Sequence, residues 1–176
     1  SAASDVYKRQ IQDKLGLRRN IGALDFNLGC SGYVYGLSLA KGLISCGVAN
    51  SVLLLTGETY NKHLHPKDKG NRTIFGDAAS ATVISTNGIS EIGDFSLGTD
   101  GSGAANLIVR SGGMRIPEKR CDLSFDENNN PVSSDYLYMN GAEIFTFTLD
   151  NVPPLIDDVL SKNCLLYTSD AADDLT

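Results

Sequence analysis

Leu24-Asp25-Phe26-Asn27-Leu28-Gly29-Cys30-Ser31-Gly32-Tyr33-Val34-Tyr35-Gly36-Leu37 changes period in the middle of the run. Residues 21–28 form a short apolar stretch with one charge, Asp25, the pattern of a buried strand. Beyond Gly29 and Cys30 the apolar residues Tyr33, Leu37, Ala40 and Ile44 recur at helical spacing, and Gly47 stands where such a helix would end. Ser51 to Thr56, with Val52, Leu53, Leu54 and Leu55 in succession, reads as a strand covered on both faces. Strand, tight turn, helix and strand make a βαβ unit, which predicts a parallel sheet inside an α/β fold.

Outward from this unit the pattern is less regular. Ile11 to Leu17 reads as the end of a helix with Gly16 near its C-cap. Residues 60–72 are polar and lysine-rich, hence a loop, and 73–85 hold a second apolar strand built on Ala78-Ala79-Ser80-Ala81-Thr82-Val83-Ile84. One or two more strands are expected over 91–110, around the Gly98-Thr99-Asp100-Gly101 turn, and Asn128-Asn129-Asn130-Pro131 marks an exposed loop. Asn140 is placed to cap a helix from Gly141 whose inner face carries Ile144, Phe145 and Thr148. Pro153-Pro154 should end or kink that helix, with Pro154 in the first turn of another.

Composition bounds the class. At 176 residues, 41% hydrophobic and 20% charged, the chain can bury one domain and is not a disordered polymer. The net charge is −6 with no clustered basic face, which argues against nucleic-acid binding. No apolar run approaches the roughly 18 residues of a membrane helix, and no signal-peptide core is visible, so a cytoplasmic protein is expected. Residues 1–9 and 165–176 look foreign to the rest and are set aside as non-native or disordered ends, leaving 10–164 as the domain.

The chemistry concentrates at Cys30. A side chain between strand and helix sits at the helix N-terminus, where orphan N–H groups and the macrodipole favour an anion, and a thiol there gains nucleophilic thiolate. Gly29 and Gly32 permit a sharp turn and leave room beside the sulfur. Spacing alone leaves a buried structural cysteine as the other reading. Cys46, Cys121 and Cys164 carry no motif and, without C-x-x-C pairing, read as free thiols. His63 and His65, the only histidines, lack further ligands at metal spacing and read as exposed loop residues. Asp77 reads as a residue that shapes a turn.

The quoted segment closely resembles the nucleophile segment of β-ketoacyl-[acyl-carrier-protein] synthase III, a condensing-enzyme family. Arg72-Thr73-Ile74-Phe75-Gly76-Asp77-Ala78-Ala79 and Met139-Asn140-Gly141-Ala142-Glu143-Ile144-Phe145 agree with that family in the same order. The resemblance implies a thiolase-like layered α/β fold, here a partial copy with a mixed sheet and a buried nucleophile helix. It implies that Cys30 takes an acyl group from acyl-CoA as a thioester and passes it to malonyl-acyl-carrier-protein, with no cofactor and as a homodimer. Phe75 then falls beside the active-site tunnel, Gly141 against the pantetheine arm, and Lys69 and Gly70 where the family has an arginine-glycine pair near the CoA nucleotide. Lysine keeps the charge and loses the bidentate, stacking guanidinium. Neither histidine matches the family's catalytic one; that residue and its asparagine partner are expected beyond this chain, which reads as a middle portion unable to complete condensation alone. A polyketide or hydroxymethylglutaryl-type synthase would keep Cys30 with another acceptor, whereas a non-catalytic subunit of the same fold would usually lack it.

Overall fold

The computed structural model describes residues 9–165; apart from residues 9 and 165, the ends set aside above lie outside them. The elements are α1 (residues 9–14), α2 (Gly32–Ser45), β1 (Ser51–Glu58), β2 (Ala78–Ser85), the short strands β3 (Leu107–Ile108), β4 (Ser124–Phe125), β5 (Pro131–Val132) and β6 (Tyr138–Met139), and α3 (Gly141–Lys162). Short 3-10 turns, Tyr60–His63 and Asn71–Thr73, punctuate the excursion between β1 and β2.

The unit around α2 and β1 holds the core. Gly32, Gly36 and Ala40 form the buried stripe of α2, one small residue per turn, so the helix backbone lies close on the sheet. The approach requires glycine at position 36, where a Cβ would stand 2.6 Å from Leu54 Cδ1 and 3.2 Å from Phe26 Cζ. Ala40, Leu54 and Ile84 are the buried cluster, with Leu37, Ile44, Val52 and Ile92 packed around it. The helix ends as expected, Gly47 adopting φ +71° beyond a Cys46 amide that donates to Gly42.

The sheet departs from the parallel βαβ expectation and from the mixed sheet. β1 pairs antiparallel with β2 from Ser51↔Ser85 to Glu58↔Ala78, and β3–β6 and β4–β5 are antiparallel too. Residues 21–28 run extended without joining a ladder among the described residues. Their Phe26 packs instead toward Gly32 and Gly36, so the strand that would give β1 a parallel partner is not formed. The excursion after β1 brings the chain back antiparallel. Nor is β1 covered on both faces: Leu54 is buried, while Leu53, Leu55 and, on β2, Val83 stand exposed on the opposite side.

Asn140 caps α3 as expected, its side chain accepting from the Glu143 amide. Pro153 and Pro154 neither end the helix nor start another. Proline's fixed φ is helical, and the pair withholds donors only from the Leu149 and Asp150 carbonyls, on residues exposed to water. The expected inner face is not covered either, since Phe145 is 64% exposed. The C-terminal end of α3 is fastened to residues 94–96 instead. Asn163 accepts from the Asp94 amide at 2.7 Å and donates to its carbonyl, and Asp158 accepts from Ser96 and Lys162. Over 91–110 only β3 forms.

Candidate functional site

Cys30 lies in the turn immediately before α2, exposed and unpaired with any other cysteine. The Gly32 amide donates to Gly29 across this turn at 2.8 Å, and the Tyr35 amide opens the helix by donating to Ser31. Ser31 makes no side-chain cap, so apart from the Gly32 amide, which Gly29 engages, the first-turn amides are left without a capping side chain. The helix runs antiparallel to β1. Its first turn is tied to β2 by Tyr33 and Thr82, whose hydroxyls stand 3.2 Å apart, Gly36 lies on Leu54, and Lys41 reaches back to Gly93. Cys30 therefore faces the C-terminal end of β1, where Glu58 and Tyr60 follow.

Tyr60 is the neighbour that sequence reasoning missed. Burial raises its phenol above the ordinary value of 10.0, and charges at Cys30 and Glu58 raise it further. Its ring stacks on Phe75 with centroids 4.8 Å apart and planes at 25°, and meets His63 edge-on at 6.0 Å. The turn that carries it is pinned by Asp77, which accepts from the Asn61 amide at 2.9 Å, the shaping role expected of that residue. Phe75 thus enters the surroundings of Cys30 through Tyr60.

The other candidates sit on loops that are tied together. Lys69 is exposed, and Gly70 starts the 3-10 turn that Asp68 braces by accepting from Asn71. The Asn71 side chain donates to the Leu137 carbonyl and the Leu137 amide donates to His63, which brings the chain before Gly141 against the Lys69–Gly70 loop. Gly141 opens α3 and has open space where a Cβ would stand. His63 is exposed as expected, but His65 is not. It is 8% exposed, its Nδ1 accepts from the Lys67 amide, and its ring packs edge-on against Phe125 and Tyr136, residues more than fifty positions away.

A cleft of about 500 Å³ opens beside His65, between Arg110, Asp122, Tyr136 and Tyr138, and Cys30 is not among its walls. Hydrogen bonds from Ser134 and then Ser133 hold the Asp122 carboxyl there at about 2. No group of three or more potential metal ligands occurs among the described residues, and no helix among them is long and apolar enough to cross a membrane.

Residues 24–101, which carry Cys30, Tyr60, Lys69, Gly70, Phe75 and Asp77, match the model of the family described as 3-oxoacyl-[acyl-carrier-protein (ACP)] synthase III. The β-ketoacyl-[acyl-carrier-protein] synthase III of Clostridium perfringens (strain 13 / Type A) is 36% identical over 153 residues, 86% of this chain and 44% of that relative. A crystal structure of a 3-oxoacyl-(acyl-carrier-protein) synthase III is similar with a TM-score of 0.84 and 48% identity, over 90% of this chain and 48% of the other. The priming β-ketosynthase of the R1128 polyketide pathway is similar at a TM-score of 0.72 and 26% identity, over 89% and 44%. The chain thus spans somewhat under half the length of the curated relatives it matches. Its fold is a partial copy of the thiolase-like architecture of these enzymes. In sequence and in fold alike, the chain is similar to the 3-oxoacyl-[acyl-carrier-protein] synthase III family of condensing enzymes.

Proposed function

We propose that the protein is a condensing acyltransferase of fatty-acid biosynthesis with Cys30 as its nucleophile. The observation that carries the reading is the position of the Cys30 thiol, exposed in a glycine-flanked turn at the uncapped head of a fourteen-residue helix. The Cys30 thiolate attacks the carbonyl carbon of an acyl-CoA thioester, the carbon–sulfur bond to CoA breaks, and CoA leaves as its thiolate. The uncapped N-terminal end of α2 favours the anionic sulfur before the attack and again when it departs. Malonyl-acyl-carrier-protein then loses carbon dioxide, and the resulting enolate carbon attacks the Cys30 thioester. A β-ketoacyl product forms and the thiolate is returned. Phe75 flanks the acyl group, Gly141 leaves room for the pantetheine arm, and Lys69 with Gly70 meets the nucleotide end of CoA. The protein works in the cytoplasm as a homodimer. The exposed Leu53, Leu55 and Val83 on the free face of β1 and β2 support such an association, because burying them removes apolar surface from water.

The test is acylation. Incubating the chain with acetyl-CoA should add one acetyl group, mapped by mass spectrometry to the Cys30 peptide and lost in Cys30→Ser. Acetyl on another cysteine, or none on the folded chain, would refute the assignment. The likeness to a polyketide priming ketosynthase supports one alternative, a different acceptor after the same acylation. Product analysis with malonyl-acyl-carrier-protein separates the two.

A further inference from the structure

We propose that the cleft beside His65 binds a free α-amino acid as its zwitterion, the ligand's carboxylate held by Arg110 and the His65 Nε2–H and its ammonium group by Asp122. None of Cys30, Lys69, Gly70, Phe75 and Gly141 lines this cleft, so the proposal stands apart from the acyltransferase reading.

Three observations converge. The first is an unused donor on a buried side chain. His65 is 8% exposed, and its Nδ1 accepts from the Lys67 amide at 3.1 Å, so the proton of the neutral imidazole sits on Nε2. Phe125 and Tyr136 hold the ring edge-on, with centroids at 6.1 and 5.0 Å. Nε2 has no protein partner among the described residues, and no partnerless side-chain nitrogen among them is sealed from solvent, so this N–H opens on the cleft that His65 lines. The second is a pair of opposite charges that do not meet. Arg110 and Asp122 line the same cleft, yet the ion pairs within 4 Å among the described residues are Lys41–Asp94 and Lys162–Asp158. The Arg110 guanidinium lies over the Tyr138 ring at 5.7 Å, and its backbone amide donates to the Ser134 carbonyl at 3.1 Å. Asp122 takes its hydrogen bonds from the neutral Ser133 and Ser134, which hold its carboxyl at about 2 and keep it an anion at neutral pH. Opposite charges held apart across a cleft match a ligand that carries both signs, and a guanidinium fork suits a carboxylate. Asp68, the other carboxylate of the cleft, has both oxygens engaged by Asn71. The third observation is shape. Pro131, Val132 and Leu137 supply apolar wall, and about 500 Å³ admits an aliphatic side chain beside the charged groups.

Isothermal titration calorimetry of the whole 176-residue chain with L-leucine tests the site. L-Leucinamide lacks the carboxylate and N-acetyl-L-leucine lacks the ammonium group. Each should bind more weakly than leucine by roughly tenfold or more, the size of one lost charge-assisted contact. Arg110→Gln should weaken leucine by a like factor and close the gap between leucine and leucinamide, because the two changes delete the same contact. Asp122→Asn should close the gap to N-acetyl-leucine in the same way. Arg110 and Asp122 are both exposed, and circular dichroism checks that each variant keeps its fold. Should Asp122→Asn loosen its loop, Arg110→Gln decides. Cys30→Ser should bind leucine unchanged, which keeps this outcome independent of the nucleophile assignment. Leucine bound no more tightly than leucinamide, an unchanged affinity in folded Arg110→Gln, or no binding of leucine at all overturns the proposal. Displacement of leucine by CoA overturns it as well, since the cleft would then belong to the acyl-CoA site.

Discussion

Replacing Gly36 by alanine tests whether the helix that carries Cys30 is held against the sheet as tightly as the structure shows. Alanine in a helix interior is favoured over glycine by about 1 kcal/mol, so propensity alone predicts stabilisation. At Gly36 the new methyl would stand 2.6 Å from Leu54 Cδ1, 3.0 Å from its Cδ2 and 3.2 Å from Phe26 Cζ. Leu54 cannot swing freely away, because it is 7% exposed and enclosed by Ala40 and Ile84. Overpacking of this kind costs about 1–3 kcal/mol, leaving a net change between about zero and 2 kcal/mol of destabilisation. Gly42 provides the control. It lies in the same helix with nothing within 4 Å of the added carbon, so Gly42→Ala should keep the whole propensity gain. The two variants should therefore differ by the overpacking cost itself. At about 2–4 °C per kcal/mol for a chain of this size, the Tm of Gly36→Ala should lie about 2–12 °C below that of Gly42→Ala. Thermal unfolding followed by far-ultraviolet circular dichroism measures both. Should Gly36→Ala equal or exceed Gly42→Ala, the close seating of α2 on β1 is refuted, and with it the placement of Cys30 over the end of that strand.

Two further outcomes follow from the electrostatics. All four cysteines are exposed, so accessibility does not rank them; Cys30 heads α2 while Cys46 sits at its C-terminal end. Iodoacetamide should therefore label Cys30 first, and peptide mapping that found Cys46, Cys121 or Cys164 ahead of it would contradict a helix-terminal nucleophile. On the acid side, Asp122, Asp126 and Asp135 are all lowered in the folded chain by hydrogen bonds, from Ser134 and Ser133, from Asn130, and from Ser111, Arg120 and Cys121 respectively. A depressed carboxyl supports the fold above its ordinary value of 3.8, and that support fades as pH falls toward about 2, the value for Asp122. Residues 110–135 should loosen over that window and become the first site of pepsin cleavage, and a first cut elsewhere would show that these bonds do not hold the segment.

What was legible in the sequence was local. The period of Tyr33, Leu37, Ala40 and Ile44, the glycine at 47 and the asparagine at 140 act within one helix turn of themselves, and each is found in the role expected. The pairing of β1 was not legible, because an apolar run states that a segment will be covered and not by what. Residues 21–28 are as apolar as a strand, yet Phe26 finds its partner in the glycine groove of α2. His65 lies in a polar, lysine-rich stretch and was read as exposed; its cover, Phe125 and Tyr136, comes from a different loop. The paired prolines misled in the other direction, since their interruption matters most where carbonyls are buried, and here water reaches Leu149 and Asp150.

The candidate site divides along the same line. Cys30 is announced by its own neighbours, because a nucleophile at a helix head needs only a turn, a glycine on either side and the helix that follows. Tyr60 carries no such signature. It is one aromatic residue at the start of a polar excursion, and its surroundings take shape only when Phe75, fifteen residues later, stacks on its ring. The helix-head thiol is thus set by local geometry, whereas the aromatic pair of Tyr60 and Phe75 depends on a loop that returns toward the helix. The contacts that hold Tyr60 in place, to Phe75 and through Asn61 to Asp77, are separate from the hydrogen bonds of the turn that presents Cys30.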